Sequence, residues 1–143
     1  RFVRARGPSA AAGLVPAALR DAPEGAVAEV CPAGLSLMTI LAQRLVAQGG
    51  AALVIDYGYV GPALGDTLQA VRRHAYAPIL EHPGEADLTA HVDFAALARA
   101  AEAAGARCYG PVGQGRFLTA LGILARAEVL RRHASAAAGQ RSR

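Results

Sequence analysis

The chain lacks lysine, asparagine and tryptophan, and four tyrosines and three phenylalanines are its only aromatic residues. Without lysine, the sequence cannot contain the lysine-bearing phosphate loop of many nucleotide hydrolases. Scarce aromatic rings disfavour single-stranded nucleic-acid binding, in which bases stack on such rings. The two cysteines, Cys31 and Cys108, are far apart and have no metal-ligand spacing, which is typical of a protein in a reducing compartment.

Long apolar runs are also missing, although 53% of the residues are hydrophobic. No uninterrupted apolar run exceeds five residues, as at Ala51–Ile55, whereas a membrane-spanning helix needs about 20. We therefore predict no membrane insertion. The first residues also lack the pattern of a secretory signal, so we expect a cytoplasmic protein if the source is bacterial.

Charge is distributed unevenly along the chain, whose formal net charge is +4. Residues 1–20 carry four arginines and no acid, residues 21–125 carry six arginines against ten acids, and residues 126–143 carry five arginines against one acid. The body is thus acidic and only the ends are basic. Because phosphate binding requires cations clustered on one folded face, we predict no nucleic-acid partner, and the acidic body favours a cationic one.

Apolar residues that recur every three or four positions predict three helical regions. These regions cover residues 34–49, 93–105 and 114–133. Pro32 precedes the first, Asp93 is a good N-cap for the second, and Gly122 interrupts the third.

Two short apolar segments, Ala51–Ile55 and Ala106–Pro111, predict strands. The first is continuously apolar and partly β-branched, which is typical of a parallel strand buried on both faces. Residues 58–91, rich in glycine, proline and histidine, predict a long loop with one amphipathic stretch, Thr67–His74.

The order of these elements is that of an α/β domain, but two strands are too few for a sheet with protected edges. The sequence therefore predicts the C-terminal part of a doubly wound, Rossmann-like α/β sheet that is incomplete by itself. In this interpretation residues 1–28 are an irregular lead-in, residues 29–133 are the C-terminal half of the domain, and residues 134–143 are a disordered tail.

A first group of candidate site residues follows the first predicted strand. Ligands of open α/β sheets bind beyond the carboxyl ends of the strands, and Asp56 stands at that position. Its carboxylate either binds a ligand or only begins a turn. Tyr57 and Tyr59, just beyond, either stack on a ligand or cover the rim of the sheet.

A second group lies in residues 84–93, which hold three carboxylates, a hydroxyl and an imidazole. Asp87, Thr89 and His91 are equally consistent with a site and with a scaffold, since loop residues often carry function. The four histidines of the chain show no metal-ligand spacing, so we predict no metal site.

A weaker hypothesis is dinucleotide binding by Gly113 and Gly115, which follow a predicted strand and begin a predicted helix. The third glycine of that fingerprint is replaced by Leu118. The acid expected about 20 residues further on to bind the ribose is replaced by His133.

Five motifs follow one another in the chain: Glu-Val-Cys-Pro at 29–32, a segment at 49–58 that ends in Asp-Tyr-Gly, Gly-Asp-Thr-Leu-Gln at 65–69, and the segments 84–94 and 110–118. Together they resemble the MidA-like family of class I S-adenosylmethionine-dependent methyltransferases, and the resemblance runs from about Glu29 to Arg132. The family's upstream glycine-rich turn, which holds the cofactor, and its closing downstream strand have no counterpart here. The cofactor-binding residues are therefore expected outside this chain.

The resemblance implies that S-adenosylmethionine donates a methyl group to an arginine of a partner protein. In the family's mitochondrial member this reaction assists the assembly of respiratory complex I, so a complex I subunit is the implied substrate and the mitochondrial matrix the implied location in a eukaryote. Asp56 and Asp87 are then the candidate catalytic carboxylates. The candidate substrate-binding residues are Tyr57, Gly58, Asp66, Thr67, Thr89 and His91.

Two further expectations accompany this interpretation. The chain alone is expected to be inactive, because the cofactor half is missing. The alternative is a non-catalytic binding or assembly module, in which the acidic α/β body docks a basic partner and the sheet edge pairs with another chain.

Overall fold

The computed structural model describes the backbone of residues 7–140 and the side chains of residues 7–134. Two compact units are present, Arg1–Tyr109 and Gly110–Arg143. Within the described part of the chain, no helix combines the length and the apolar character needed to cross a bilayer. Two short 3-10 helices, Ala10–Leu14 and Ala17–Leu19, fall in the predicted irregular lead-in.

Helix α1 spans Pro32–Gln48, which confirms the first predicted helix. Proline is tolerated in the first turn of a helix, because an N–H group at that position would have no partner inside the helix. The Cys31 thiol sulfur accepts a hydrogen bond from the Gly34 N–H at 3.4 Å, so a residue of no apparent chemistry serves as the N-cap. Gly49, with φ of 76°, ends the helix in a conformation that favours glycine.

Helix α2 spans Phe94–Ala103, which confirms the second predicted helix and its cap. The Asp93 carboxylate accepts a hydrogen bond from the Ala96 N–H at 2.9 Å. Such a cap satisfies one of the free N–H groups of the first turn. Gly105, with φ of 91°, follows the last turn.

Helices α1 and α2 pack against each other in the first unit. A Cβ on Gly34 would lie 3.9 Å from the Leu97 side chain, and one on Gly105 would lie 3.7 Å from Val46, so the two helices run in the same direction. The helices bury Ala42 and Ala101, and small residues allow them to approach closely. With Ala70 of a later strand, these are the only buried apolar residues among the side chains that the structure describes.

In the part of the chain that the structure describes, five strands form two small sheets, which makes the class mixed α/β. Strand β1, Gly58–Tyr59, pairs in parallel with β5, Val92–Asp93. Strands β2, Gln69–Arg72, β3, Ala75–Ala77, and β4, Asp87–Thr89, form an antiparallel sheet in the order β3-β2-β4.

The prediction of a long loop over residues 58–91 is therefore wrong. The amphipathic stretch Thr67–His74 contains β2 and a two-residue turn, in which Arg73 and His74 have φ of 51° and 64°. Hairpin turns of this kind favour Asn and Gly, so Arg-His carries no sequence signal for a hairpin. The pairing of β2 with β4, across an intervening loop, has no local signal either.

Neither predicted strand, Ala51–Ile55 nor Ala106–Pro111, forms a paired strand within the described residues, and both segments are also non-helical. The first is exposed rather than buried, with Leu53 70% and Ile55 65% accessible. Parallel pairing begins only at Gly58, so the backbone of Ala51–Ile55 has no strand partner among the described residues.

The second unit contains helix α3, Gln114–Ala120, and helix α4, Ile123–Gln140. Gly122, with φ of 85°, separates them, which confirms the predicted break. Helix α4 continues over residues 134–140, where composition predicted disorder, because an alanine-rich sequence also has high helix propensity. Residues 1–6 and 141–143, the outer parts of the predicted lead-in and tail, lie outside the described residues.

Candidate functional site

An open pocket of about 320 Å³ lies in the first unit, beside the parallel strand pair. Three segments distant in the sequence line it: the end of the extended apolar segment, strand β2, and the residues that lead from β4 to β5. Its lining residues are Asp56, Tyr57, Gln69, Val71, Thr89, Ala90 and His91.

Four of the predicted site residues meet in this pocket. Asp56 and Tyr57 come from one candidate group, and Thr89 and His91 come from the other, so the structure brings together two groups that the sequence separates by more than 30 positions. Gln69 was missed, although it ends the motif Gly-Asp-Thr-Leu-Gln at 65–69, because only Asp66 and Thr67 were selected from that motif.

Asp56 is the only carboxylate that lines this pocket among the described residues, and its side chain is exposed. One carboxylate oxygen, Oδ1, accepts a hydrogen bond from the Tyr57 N–H at 2.7 Å. This local bond fixes the start of the turn, as the structural interpretation expected. An exposed carboxylate at a pocket wall can also fork onto a cationic ligand.

Asp87 and Asp66 do not line the pocket. Asp87 lies on β4, opposite Val71, and is two residues before Thr89. Because alternate residues of a strand point to the same face, Asp87 shares the face of β4 that carries a pocket residue. Asp66 is exposed in the segment before β2.

Gly58 lies in β1 and allows a close approach of the two parallel strands. A Cβ at this position would be 2.1 Å from the Val92 carbonyl oxygen and 2.9 Å from the Phe94 ring. No side chain fits in that space. Packing therefore accounts for this glycine without any contact to a ligand.

Thr67 joins the pocket region to a residue that sequence reasoning did not select, Glu29. The Glu29 Oε1 accepts hydrogen bonds from the N–H groups of Thr67, at 2.9 Å, and Leu68, at 3.1 Å, while Oε2 accepts one from the Thr67 hydroxyl. The Thr67 Oγ1 in turn accepts a hydrogen bond from the His91 N–H at 2.9 Å. Glu29 belongs to the first of the five motifs, but its partner lies 38 positions away, so no local pattern could reveal the contact.

Tyr59 is the one side chain of the described residues with a clearly altered acidity. Partial burial is the main cause that raises the pKa of its phenol, and the carboxylates of Asp93 and Glu29 raise it further. The phenol therefore remains neutral in the folded protein at physiological pH.

Metal and nucleotide chemistry receive no support from the described residues. No three side chains among His, Cys, Asp and Glu come together there as metal ligands. Gly113 and Gly115 stand at the start of α3, but the residues before them form no strand, so the strand–turn–helix context of a dinucleotide site is not met.

Comparison with known proteins identifies the family. Residues 1–112 match a family model described as "Putative S-adenosyl-L-methionine-dependent methyltransferase". The match includes the first 28 residues, which the motif resemblance did not cover, and ends before α3.

Curated relatives point in the same direction. The mitochondrial protein arginine methyltransferase NDUFAF7 of Xenopus tropicalis is 42% identical over 113 residues, which are 79% of this chain and 26% of that protein. The protein of the same name from Homo sapiens is 44% identical over 102 residues, 71% of this chain and 23% of that protein. The Drosophila melanogaster homologue is 45% identical over 96 residues, 66% of this chain and 22% of that protein.

The chain spans about a quarter of the length of these curated relatives. Any stretch of 102 residues within 143 includes positions 42–102, so the aligned regions contain the whole pocket. The family match covers most of the chain and confirms the resemblance found in the motifs. This chain belongs to that methyltransferase family.

Proposed function

We propose that this chain is part of a class I S-adenosylmethionine-dependent methyltransferase that methylates an arginine of a partner protein. The observation that carries the proposal is 42–45% identity to proteins named protein arginine methyltransferases, over a stretch that contains the pocket. The MidA-like motifs support the same assignment. The matched residues make up only about a quarter of each relative, so the activity is proposed for a longer protein that contains these residues.

The pocket would hold the acceptor guanidinium. A guanidinium has a pKa above about 12 and is a poor nucleophile while its lone pair is delocalised, so the protein must orient one nitrogen and accept its proton. The Asp56 carboxylate can bind two N–H groups in parallel. Gln69, Thr89 and His91 add hydrogen-bonding groups on the other walls, and Tyr57, which is 80% exposed, offers a ring face to the same cation.

Asp87 is proposed to act beside the pocket rather than in its lining. It is exposed on β4, two positions from the pocket residue Thr89, and its carboxylate would add to the negative charge that attracts a cationic segment of the partner. Asp66 and Thr67, in the segment before β2, are proposed to contact the partner protein or to support the pocket rather than to touch the reacting nitrogen.

The methyl donor would be S-adenosylmethionine, but the described residues do not fit a site for it. None of their glycine-rich turns joins a paired strand to a helix, and Gly113 and Gly115 have no atom within 4 Å of an added Cβ, so they form no close cradle. We place the donor site in a part of the longer protein outside this chain. The expected result is no measurable heat of S-adenosylmethionine binding to this chain in calorimetry, and micromolar binding would contradict the placement.

The exposed apolar segments support the proposal that the sheet is completed elsewhere. Ala51–Ile55 is apolar, exposed and non-helical, ends two residues before β1, and has no partner strand among the described residues. Residues 106–112 have the same character after α2, with Tyr109 88% exposed. We propose that both are strands of a Rossmann-like sheet whose neighbours come from the rest of the longer protein.

The decisive experiment replaces Asp56 in the full-length enzyme. Asp56→Asn preserves the size of the side chain and removes its charge, so methylation of the protein substrate should fall at least tenfold while the dissociation constant of the donor stays within twofold. Asp21→Asn, at an exposed position outside the pocket, is the matched control and should leave both unchanged.

Methylation at the parent rate in the Asp56→Asn enzyme would show that Asp56 is scaffold and would refute the acceptor site. Absence of any methylation by the parent full-length protein would instead favour the non-catalytic assembly module, whose acidic body docks a basic partner.

The partner and the location are proposed from the relatives' names and from the motif resemblance. The relatives' names place them in mitochondria, and the motif resemblance implies a subunit of respiratory complex I as the substrate. For this chain we propose the mitochondrial matrix in a eukaryote and the cytoplasm in a bacterium, with a protein substrate and no nucleic acid.

A further inference from the structure

Three distant segments of the first unit meet at the side chain of Thr67. The Glu29 carboxylate accepts a hydrogen bond from the Thr67 hydroxyl, and the His91 N–H donates to the same hydroxyl oxygen at 2.9 Å. The backbone of Thr67 leads into β2. A backbone bond from the Gly65 N–H to the Val27 carbonyl oxygen, at 2.9 Å, holds the same two segments together. Thr67 is therefore a junction rather than a free surface hydroxyl.

The Glu29 carboxylate accepts hydrogen bonds from two consecutive residues, Thr67 and Leu68. Both of its oxygens accept hydrogen bonds, two from consecutive N–H groups and one from the hydroxyl, and both side chains are half-buried. Charge-assisted hydrogen bonds of this kind are stronger than neutral ones, and several of them on one carboxylate restrict the geometry of the donors. The carboxylate thus orients the Thr67 hydroxyl, whose oxygen remains available to the His91 N–H.

This junction lies immediately behind the proposed acceptor pocket. His91 lines the pocket, and the next residue, Val92, donates its N–H to the Tyr57 carbonyl oxygen at 2.9 Å, where Tyr57 is another lining residue. Two positions after Thr67, Gln69 lines the third wall. A shift of Thr67 would therefore move two walls of the pocket relative to Asp56.

We propose that Glu29 is a positioning residue, which acts through the Thr67 hydroxyl to hold His91 and Gln69 in register around the acceptor guanidinium. The inference deepens the proposed function and rests on it for its kinetic consequences. Its structural part, the Glu29–Thr67–His91 junction, is testable without any activity.

The test uses the full-length enzyme and two measurements. Hydrogen–deuterium exchange at the His91 amide reports the junction, and the acceptor KM, kcat and donor dissociation constant report the pocket. Thr67→Val keeps the shape of the side chain but removes the hydroxyl, so the His91 amide should exchange at least tenfold faster. The acceptor KM should rise at least fivefold, with the donor dissociation constant within twofold.

Two further variants grade the effect. Thr67→Ser keeps the hydroxyl and should rescue both the slow exchange and most of the acceptor KM. Glu29→Gln keeps one acceptor oxygen but replaces the other with an N–H group, so its effects should fall between those of the two threonine variants. The matched controls are Thr39→Val, which removes a hydroxyl that donates to Leu35 within α1, and Glu24→Gln at an exposed position. Both should behave as the parent.

The outcomes separate this inference from the proposed function. Parent-like exchange at His91 in Thr67→Val would overturn the junction. Faster exchange with unchanged acceptor kinetics, in an enzyme that Asp56→Asn does slow, would overturn the positioning role. Faster exchange with kinetics unchanged in both variants would support the junction and would refute the acceptor pocket instead. A uniform loss of thermal stability with equal weakening of donor binding would show a merely structural role.

Discussion

The segment Ala51–Ile55 is more continuously apolar in sequence than helices α1 and α2, yet in the structure the segment is exposed and the helices pack. The helices bury Ala42 and Ala101 against each other, whereas Leu53 and Ile55 are mostly exposed. A helix satisfies its backbone within itself and needs a neighbour only for one face, while a strand needs neighbours for its backbone as well. An exposed apolar strand is therefore a clearer sign of missing partners than an exposed apolar helix face.

The same contrast separates the stable part of the molecule from the proposed site. Helices α1 and α2 pack against each other and are capped. The pocket, by contrast, is lined by residues in or beside strands of only two to four residues. Short strands and exposed backbone open more readily than a packed helix pair. A pocket of this kind depends on individual hydrogen bonds, such as those of Glu29, and on neighbours that a longer chain would add.

The largest effect is expected from a charge placed between the two helices. Ala42→Asp buries a carboxylate at a position that is 1% exposed, so the free energy of unfolding should fall by at least about 3 kcal/mol. Gln43→Asp, at the exposed neighbouring position of the same helix, is the control and should cost well under about 1 kcal/mol. Urea unfolding of each variant measures the difference. Equal costs would mean that α1 and α2 do not pack as the structure shows.

A smaller effect is expected at Gly58, where strand pairing begins. Gly58→Ala would place a methyl group against the Val92 carbonyl oxygen, so β1 and β5 must separate at a cost of about 2 kcal/mol. Gly115→Ala, inside α3 with open space around it, should be neutral or stabilise by about 0.5 kcal/mol. If thermal unfolding ranks the two variants in the reverse order, the close approach of β1 to β5 is refuted.

The exposed segment itself offers the sharpest test of the incomplete sheet. Leu53→Asp should change the free energy of unfolding of this chain by less than about 0.5 kcal/mol, because the side chain is exposed in both states. In the full-length protein, where we propose that neighbouring strands cover it, the same change should cost more than about 2 kcal/mol. Chemical denaturation of both proteins decides. An equally small effect in the full-length protein would contradict the covered strand.

The smallest effect concerns Tyr59, beside the parallel pair. Burial and the carboxylates of Asp93 and Glu29 raise the pKa of its phenol in the folded state, whereas the unfolded chain ionises at about 10. The folded state therefore holds this proton more tightly, and the stability that the neutral phenol contributes is present below about pH 10 and is lost as the pH rises through the folded pKa.

Unfolding measured between pH 9 and 12 checks this sign. Tyr59→Phe should remove the part of the alkaline loss that arises from this phenol, and Tyr76→Phe, at a position 81% exposed, should retain it. A parent-like pH dependence in the Tyr59→Phe variant would show that the phenol is not linked to folding.

Sequence patterns predicted those elements whose stabilising interactions are local. The Asp93 cap, the stop at Gly49 and the break at Gly122 each involve residues within four positions, and all are present. The β2–β4 pairing and the Arg73–His74 turn were missed, because the first is non-local and the second uses residues that hairpin turns seldom contain.

The candidate site shows the same division. Asp56 and Tyr57 could be selected because they follow an apolar segment, and Thr89 and His91 because loop residues often carry function, and the structure brings these four together. Asp87, selected from the same loop, and Asp66, selected with the family resemblance, lie outside the pocket lining. Glu29 satisfied no rule, because what distinguishes it is a hydrogen-bonding partner 38 residues away.

By itself, the sequence determined the helices, their caps, the acidic body and membership of a methyltransferase family, since these depend on residue types at short spacing or on ordered motifs. Only the tertiary structure decided which apolar segments are buried, which polar residues share a pocket and which carboxylate supports it. Those outcomes depend on which segments meet in space, and backbone pairing and side-chain burial are properties of both partners together.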